Sequence, residues 1–220
     1  MSADRRRAIV AGASGLVGSH LVDELLADES WSAVTLLVRR PLPRTHAKLT
    51  HLVVDFAALP SLPAADDLFC ALGTTIAKAG SQPAFRAVDH DAVLAFAAAG
   101  WQAGARQLLV VSSLGADPAS RTFYSRVKGE MERAVEALAF DSIQIFRPSL
   151  LLGDRAELRV GERVASAVFA PLGPLFLGPL ARYRPIAAST VAAAMRRVAR
   201  AAPSGLAIHE SERIRALAEG

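Results

Sequence analysis

The sequence predicts an α/β fold, a doubly wound parallel sheet with helices on both faces and a small C-terminal flank. Three observations predict it. Short apolar runs alternate with stretches of helical periodicity, and the first run ends in a glycine-rich loop that opens the first helix. The composition, 52% apolar and 21% charged, is that of a folded globular protein.

Ala8-Ile9-Val10-Ala11 is a short unbroken apolar run ending at Gly12, as expected of a strand buried on both faces. Leu16, Val17, Leu21, Leu25 and Leu26 then fall on one helical face, so a helix is expected over about 15–28. Val34 to Val38 and Leu52-Val53-Val54 read as further strands, followed by 68–72. An Ala-rich helix is expected over about 83–103, the tightest strand signal at Gln107 to Val111, a helix over about 121–138, and a strand at Ile143 to Phe146 stopped by Pro148. Beyond Gly153 prolines and glycines crowd 171–179, with a helix at 189–201 and a short strand at 206–208. At about 150 residues per domain, the 220 residues make one domain, with 154–220 as its C-terminal lid or flank.

Charge and cysteine usage exclude several classes. The formal charge of +4 is spread along the chain, and the one basic cluster, Arg5-Arg6-Arg7, abuts an apolar strand, so nucleic acid is not expected as a partner. A single cysteine, Cys70, rules out an intramolecular disulfide and a Cys-rich zinc site; His20, His46, His51 and His209 lack ligand spacing, so no metal is expected. The N-terminal apolar run breaks at Gly12, Ser14 and Gly15, and the apolar stretch 165–183 is broken by Pro171, Gly173, Pro174, Gly178 and Pro179. Neither pattern suits a signal peptide or membrane insertion, and a cytoplasmic location is expected.

Gly12-Ala13-Ser14-Gly15-Leu16-Val17-Gly18 sits between the first strand and the first helix. A dinucleotide site needs glycines there, for a tight turn, for close approach of a pyrophosphate and for close packing of helix on strand. The helix N-terminus then offers amides and a partial positive charge to the phosphates. About twenty residues on, where an acid would bind a ribose 2′-hydroxyl, stand Arg39 and Arg40. Two guanidiniums favour a 2′-phosphate, so NADP(H) is the expected cofactor and NAD(H) the weaker option. The alternative is that the arginines only solvate a strand end.

Ser112 and Ser113 end the fifth strand, and Tyr124 and Lys128 lie four apart on the helix that follows. A phenol near pKa 10 is a poor acid-base catalyst at neutral pH, and a neighbouring ammonium moves it in the useful direction. Ser113 is placed to hydrogen-bond a substrate carbonyl and stabilise a developing alkoxide.

The glycine loop, Val-Val-Ser112-Ser113, Tyr-x-x-x-Lys and Arg147-Pro148-Ser149-Leu-Leu-Leu-Gly153 together resemble the short-chain dehydrogenase/reductase superfamily in its atypical branch. Leu-Gly73-Thr74-Thr75, Val88-Asp-His-Asp91, Ser-Ser-Leu-Gly-Ala-Asp117, Val127-Lys-Gly-Glu130 and the run to Arg155 are similar to the Tat-interacting-protein-type oxidoreductases. The resemblance spans 8–155 and implies a Rossmann-type NAD(P)-binding domain with the C-terminal flank on its substrate side. It implies Tyr124 as general acid/base, Lys128 as its activator and a ribose ligand, and Ser113 as the carbonyl-orienting group. It places Asp55 near the adenine, Leu72, Gly73 and Thr74 along the cofactor, and Pro148 and Ser149 near the nicotinamide. Asp89 stands where many members have an Asn linked to the proton relay, so an altered relay is expected.

The function read from this is NADP(H)-dependent, carbonyl-type reduction by Ser/Tyr/Lys acid-base catalysis on a small-molecule substrate whose identity is not legible. The alternative is a non-catalytic NADP(H)-sensing regulator that binds a protein partner. A nucleotide-sugar epimerase is disfavoured, since 154–220 offers little material to enclose a large substrate. A monomer or homodimer is expected. Residues 155–183, with Phe169, Leu172, Phe176 and Leu177, are expected to cover the nicotinamide end or else to pack as a flank. Cys70 is expected to be a buried small hydrophobe.

Overall fold

The computed structural model describes residues 5–152 and 182–220; the lid expected at 155–183 falls almost wholly outside them. The strands are β1 (Arg6–Ala11), β2 (Trp31–Val38), β3 (Leu49–Val53), β4 (Asp67–Cys70), β5 (Gln107–Val111), β6 (Ser142–Arg147), β7 (Leu151–Leu152), β8 (Ile186–Ala187) and β9 (Gly205–Glu210). The helices are α1 (Leu16–Ala27), the short α2 (Ile76–Ala79) and α3 (Gln82–Arg86), α4 (Ala92–Gln102), α5 (Phe123–Glu136), α6 (Ala188–Ala201) and α7 (Ser211–Glu219).

Seven strands form one sheet in the order β3-β2-β1-β4-β5-β6-β9, and each neighbouring pair is parallel. β7 and β8 pair separately. The order turns outward in opposite directions from β1 and β4, which leaves a crevice beyond their carboxyl ends. Ligands of open α/β sheets bind at such a switch point.

Alternation along β1 shows why its sequence is apolar at every position from Ala8 to Ala11. Ala8 and Val10 pack on one face with Leu21 and Leu25 of α1 and Val191 and Met195 of α6. Ile9 and Ala11 pack on the other with Val93 and Phe96 of α4 and Met131 and Val135 of α5. A strand covered on both faces has no solvated side to mark with polar residues. β9 supplies the seventh strand and α6 covers the sheet beside α1, so residues 188–210 contribute directly to the sheet and its helical layer.

The helix expected over 83–103 is instead α3, a π-helical turn at Ala87–Asp91, and α4. The widened turn buries Asp89 while Asp91 stays exposed. Hydrophobic periodicity does not reveal such an insertion, because the apolar face resumes in register in α4.

Candidate active site

Four segments meet at the switch point: the glycine loop after β1, the 71–75 loop after β4, the carboxyl end of β5 with α5, and the end of β6. At Gly12 the backbone has φ +87°, and a Cβ there would lie 2.3 Å from the Ala71 carbonyl oxygen. A Cβ on Gly18 would lie 2.1 Å from the Gly12 oxygen, so only glycine lets α1 start this close to the turn. The Gly15 amide donates to the Gly12 carbonyl at 2.9 Å, closing the loop. Gly15 caps α1 with no side-chain hydrogen bond, and the first turn holds no acid. The amides of Leu16, Val17 and Gly18 therefore face the crevice end of the helix without a capping side chain, beside the exposed Ser14. This uncapped helix end and its glycine cradle fit a pyrophosphate.

Arg39 and Arg40 follow β2 directly, and both are exposed. No hydrogen bond or ion pair joins either to the described residues, so both guanidiniums are free to receive an anion. Asp55, past β3, turns its carboxylate back onto the Ala57 amide at 2.9 Å. Arg6 and Arg7, by contrast, pair with Asp67 and Asp66.

Helix α5 carries two stripes. Val127, Met131 and Val135 are buried in the apolar core, while Tyr124, Lys128 and Glu132, also at four-residue spacing, each meet a separate partner. The Tyr124 ring packs on Phe85 of α3 with centroids 5.4 Å apart. The Lys128 ammonium lies 2.7 Å from Asp89 Oδ1. Arg147 Nε donates to both Glu132 carboxylate oxygens, at 2.9 and 3.2 Å, fastening α5 to the end of β6. Gly129 sets how near α5 comes to its own entry loop, since a Cβ there would lie 2.2 Å from the Pro118 nitrogen.

Lys128 and Asp89 are among the most buried charges of the site, with side chains 4% and 1% exposed. The second Asp89 oxygen accepts from the Thr74 amide at 2.8 Å. One carboxylate thus ties the loop after β4 to α5. Stripping one partner from such a pair typically costs about 3–5 kcal/mol, because the other charge is left buried alone. Gly73 lies directly over the pair, and a Cβ on it would be 3.5 Å from Asp89 Oδ1 and 3.9 Å from Lys128 Nζ. Leu72, at the base of this loop, packs against the α4/α5 core.

The Ser112 amide donates to the Phe146 carbonyl at 2.7 Å and the Leu114 amide to the Pro148 carbonyl at 2.9 Å, so the β5 and β6 ends stay side by side. The hydroxyls of Ser112 and Ser113 are buried and have no hydrogen-bond partner among the described residues. A buried orphan hydroxyl is costly unless a ligand or water completes it. Ser149 is committed internally, its amide donating to Ser211 Oγ at 2.7 Å and its hydroxyl to the Arg184 carbonyl at 2.6 Å. Cys70, beneath the site, is fully buried, and burial pushes its thiol up to about 12, so it is no nucleophile at neutral pH.

The structure therefore gathers the glycine loop, Leu72 to Thr74, Ser113, Lys128 and Pro148 around one crevice, with Tyr124 one turn ahead of Lys128 on the same face of α5. Sequence reasoning missed Phe85 and Gly129, and flagged Asp89 without finding its partner. Gly129 had a signal, the Val-Lys-Gly-Glu string; Phe85 sits in an apolar run with none.

A family model described as NAD(P)H-binding matches residues 12–163. Protein HTATIP2 of Rattus norvegicus is 41% identical over 170 residues, covering 74% of this chain and 70% of its own length. Protein FMP52, mitochondrial, of Coccidioides immitis (strain RS) is 35% identical over 175 residues, covering 72% and 71%. Among solved structures, MoeE5 in complex with UDP-glucose and NAD matches at TM-score 0.69 and 19% identity, over 97% of this chain and 81% of that one. UDP-N-acetylglucosamine 4-epimerase from Methanobrevibacter ruminantium M1 matches at TM-score 0.69 and 16% identity, over 94% and 77%. At these identities the structural likeness carries the fold alone.

Proposed function

The chain belongs to the NAD(P)H-binding family and resembles HTATIP2 within the atypical short-chain dehydrogenases/reductases, and from that premise we propose that it is an NADP(H)-dependent oxidoreductase acting on a small carbonyl compound. The observation that carries the proposal is the convergence of an uncapped helix end, a buried lysine under Gly73 and orphan serine hydroxyls in one crevice. Bound NADPH would supply the hydride.

The residues of this chain do the rest. The α1 amides and the Gly12 turn receive the pyrophosphate, and Arg39 and Arg40 grip the 2′-phosphate. Asp55 stands on the adenine side, Leu72 to Thr74 run along the cofactor, and Pro148 and Ser149 wall the nicotinamide end, Ser149 by its backbone position. Lys128 holds the ribose beneath Gly73. Ser113 donates its hydroxyl to the substrate oxygen, and Tyr124 delivers the proton to that oxygen as charge develops on it. The single domain is proposed to be closed on the substrate side by its C-terminal flank.

A second reading, a non-catalytic NADP(H) sensor that engages a protein partner, is favoured by one observation. The Lys128 charge is already matched by Asp89. A panel of aldehydes and ketones followed by NADPH absorbance separates the two. Oxidation of NADPH with at least one carbonyl supports the enzyme; tight NADPH binding with no turnover across the panel, and cofactor-dependent capture of a protein, supports the sensor.

Among the described residues no helix is long and apolar enough to cross a membrane. We propose a cytoplasmic location for this chain, whereas the relative FMP52 of Coccidioides immitis (strain RS) is named mitochondrial. Cell fractionation decides between them.

A further inference from the structure

Lys128 is a buried cation with one buried counter-charge, and the way that counter-charge is built in goes beyond neutralisation. Asp89 sits on the π-helical turn, where the extra residue brings its carboxylate inward. One oxygen is anchored by the Thr74 amide at 2.8 Å, which fixes the carboxylate's orientation. The other oxygen lies 2.7 Å from Lys128 Nζ as an ion pair. The ammonium carries three N–H donors, so pairing with one carboxylate oxygen leaves donors for a ligand. Above it lies Gly73, whose missing side chain leaves the ammonium within 3.9 Å of the position a Cβ would fill.

Resting on the reading that a dinucleotide binds at this crevice, we propose that Asp89 is the positioning residue of Lys128. Its carboxylate holds the ammonium aimed beneath Gly73 for the ribose hydroxyls, and ties that aim to the Gly73-Thr74 loop along which the cofactor lies. Both side chains are almost fully buried, 4% and 1% exposed. Asp89 thus acts through Lys128 on cofactor binding, and makes no contact with the substrate.

Among the described residues, the charged groups around this pair are few. Cys70 on β4 lies behind it as a neutral thiol. His90 on the π-helical turn pairs with Asp91 at 2.7 Å, and Arg86 of α3 pairs with Glu130 of α5. None of these substitutes for Asp89 when it is removed.

A double-mutant cycle on NADPH affinity tests the proposal, using the parent, Asp89→Asn, Lys128→Met and the double variant, each measured by calorimetric titration. Asn keeps an oxygen for the Thr74 amide and removes only the charge. Each single substitution should weaken NADPH by about tenfold, and the double also by about tenfold, since residues that act as one unit are not additive. A double variant weakened about a hundredfold, the product of the singles, would show Asp89 acting apart from Lys128 and overturn the proposal. So would Asp89→Asn with parental affinity. Melting curves run alongside separate this from a merely structural role, which would lower the melting temperature with no coupling in affinity. If Asp89→Asn does not fold, the double variant, in which a buried ion pair is replaced by neutral groups, is compared with Lys128→Met alone. Equal affinities support the proposal and a further tenfold loss overturns it. A parent that binds neither NADPH nor NADH would sink the dinucleotide reading itself; a parent that binds, with an additive cycle, sinks only the role of Asp89.

Discussion

Trp31 donates its indole N–H to Asp67 Oδ2 at 2.8 Å, at the end of the sheet opposite the glycine loop. Arg6 closes on the other carboxylate oxygen and reaches Gln107 at 2.9 Å, so one buried acid joins β1, β2 and β4, and Arg6 extends the link to β5. Burial outweighs the Arg6 charge and raises Asp67 from 3.8 to about 6.

That shift predicts a pH dependence of stability. A carboxyl whose folded value is raised stabilises the fold fully below its unfolded value, here 3.8, and the contribution is lost as pH rises through about 6. Asp67→Asn lacks the titration, so its stability relative to the parent should rise by about 1.4 kcal/mol between pH 5 and pH 8. His209, held low by burial and then by Arg213, works the other way, losing its contribution as pH falls. It is present in both proteins and cancels in the difference. Denaturant melts of both proteins at the two pH values measure it; an unchanged gap contradicts the assignment.

The free guanidiniums after β2 predict cofactor choice. NADPH should bind at least about tenfold more tightly than NADH, since one charge-assisted contact contributes about 1.5–3 kcal/mol. Arg39→Ala with Arg40→Ala should remove the preference while leaving NADH affinity near the parental value. Equal affinities in the parent would rule out a 2′-phosphate grip.

Gly12→Ala tests the cradle. The new methyl meets the Ala71 carbonyl at 2.3 Å from a backbone with φ +87°, so the loop must shift away from β4. The strain should cost about 1–3 kcal/mol of stability and reduce cofactor affinity more than tenfold. Gly115→Ala is the control, with φ +80° but open space around it, so its cofactor affinity should stay parental. Equal losses of affinity in the two would assign the effect to general destabilisation.

Most of this architecture is legible in the sequence for a physical reason. Strands buried on both faces announce themselves as apolar runs, such as Leu108–Val111, and the structure begins and ends β5 at the expected Gln107 and Val111. The glycine loop is legible because few side chains tolerate its backbone. Strand ends are less so: β2 begins at Trp31, three residues before its apolar run, because Trp31 packs inward and pairs with Asp67 from a distant strand. The Lys128 and Asp89 pair was hidden for the same reason. The two residues are far apart in sequence, and the π-helical turn that points Asp89 inward leaves no mark on the periodicity.

The central claim, that Tyr124 is the proton donor of a carbonyl reduction, is tested most directly by Tyr124→Phe. The substitution removes only the hydroxyl and keeps the ring on Phe85. With a carbonyl compound that the parent reduces, hydride transfer measured by NADPH absorbance should fall ~10²–10⁴-fold, as for a lost general acid, while calorimetric NADPH affinity stays within about twofold, since the lost hydroxyl is not one of the proposed cofactor contacts. Turnover by Tyr124→Phe at the parental rate would contradict the account.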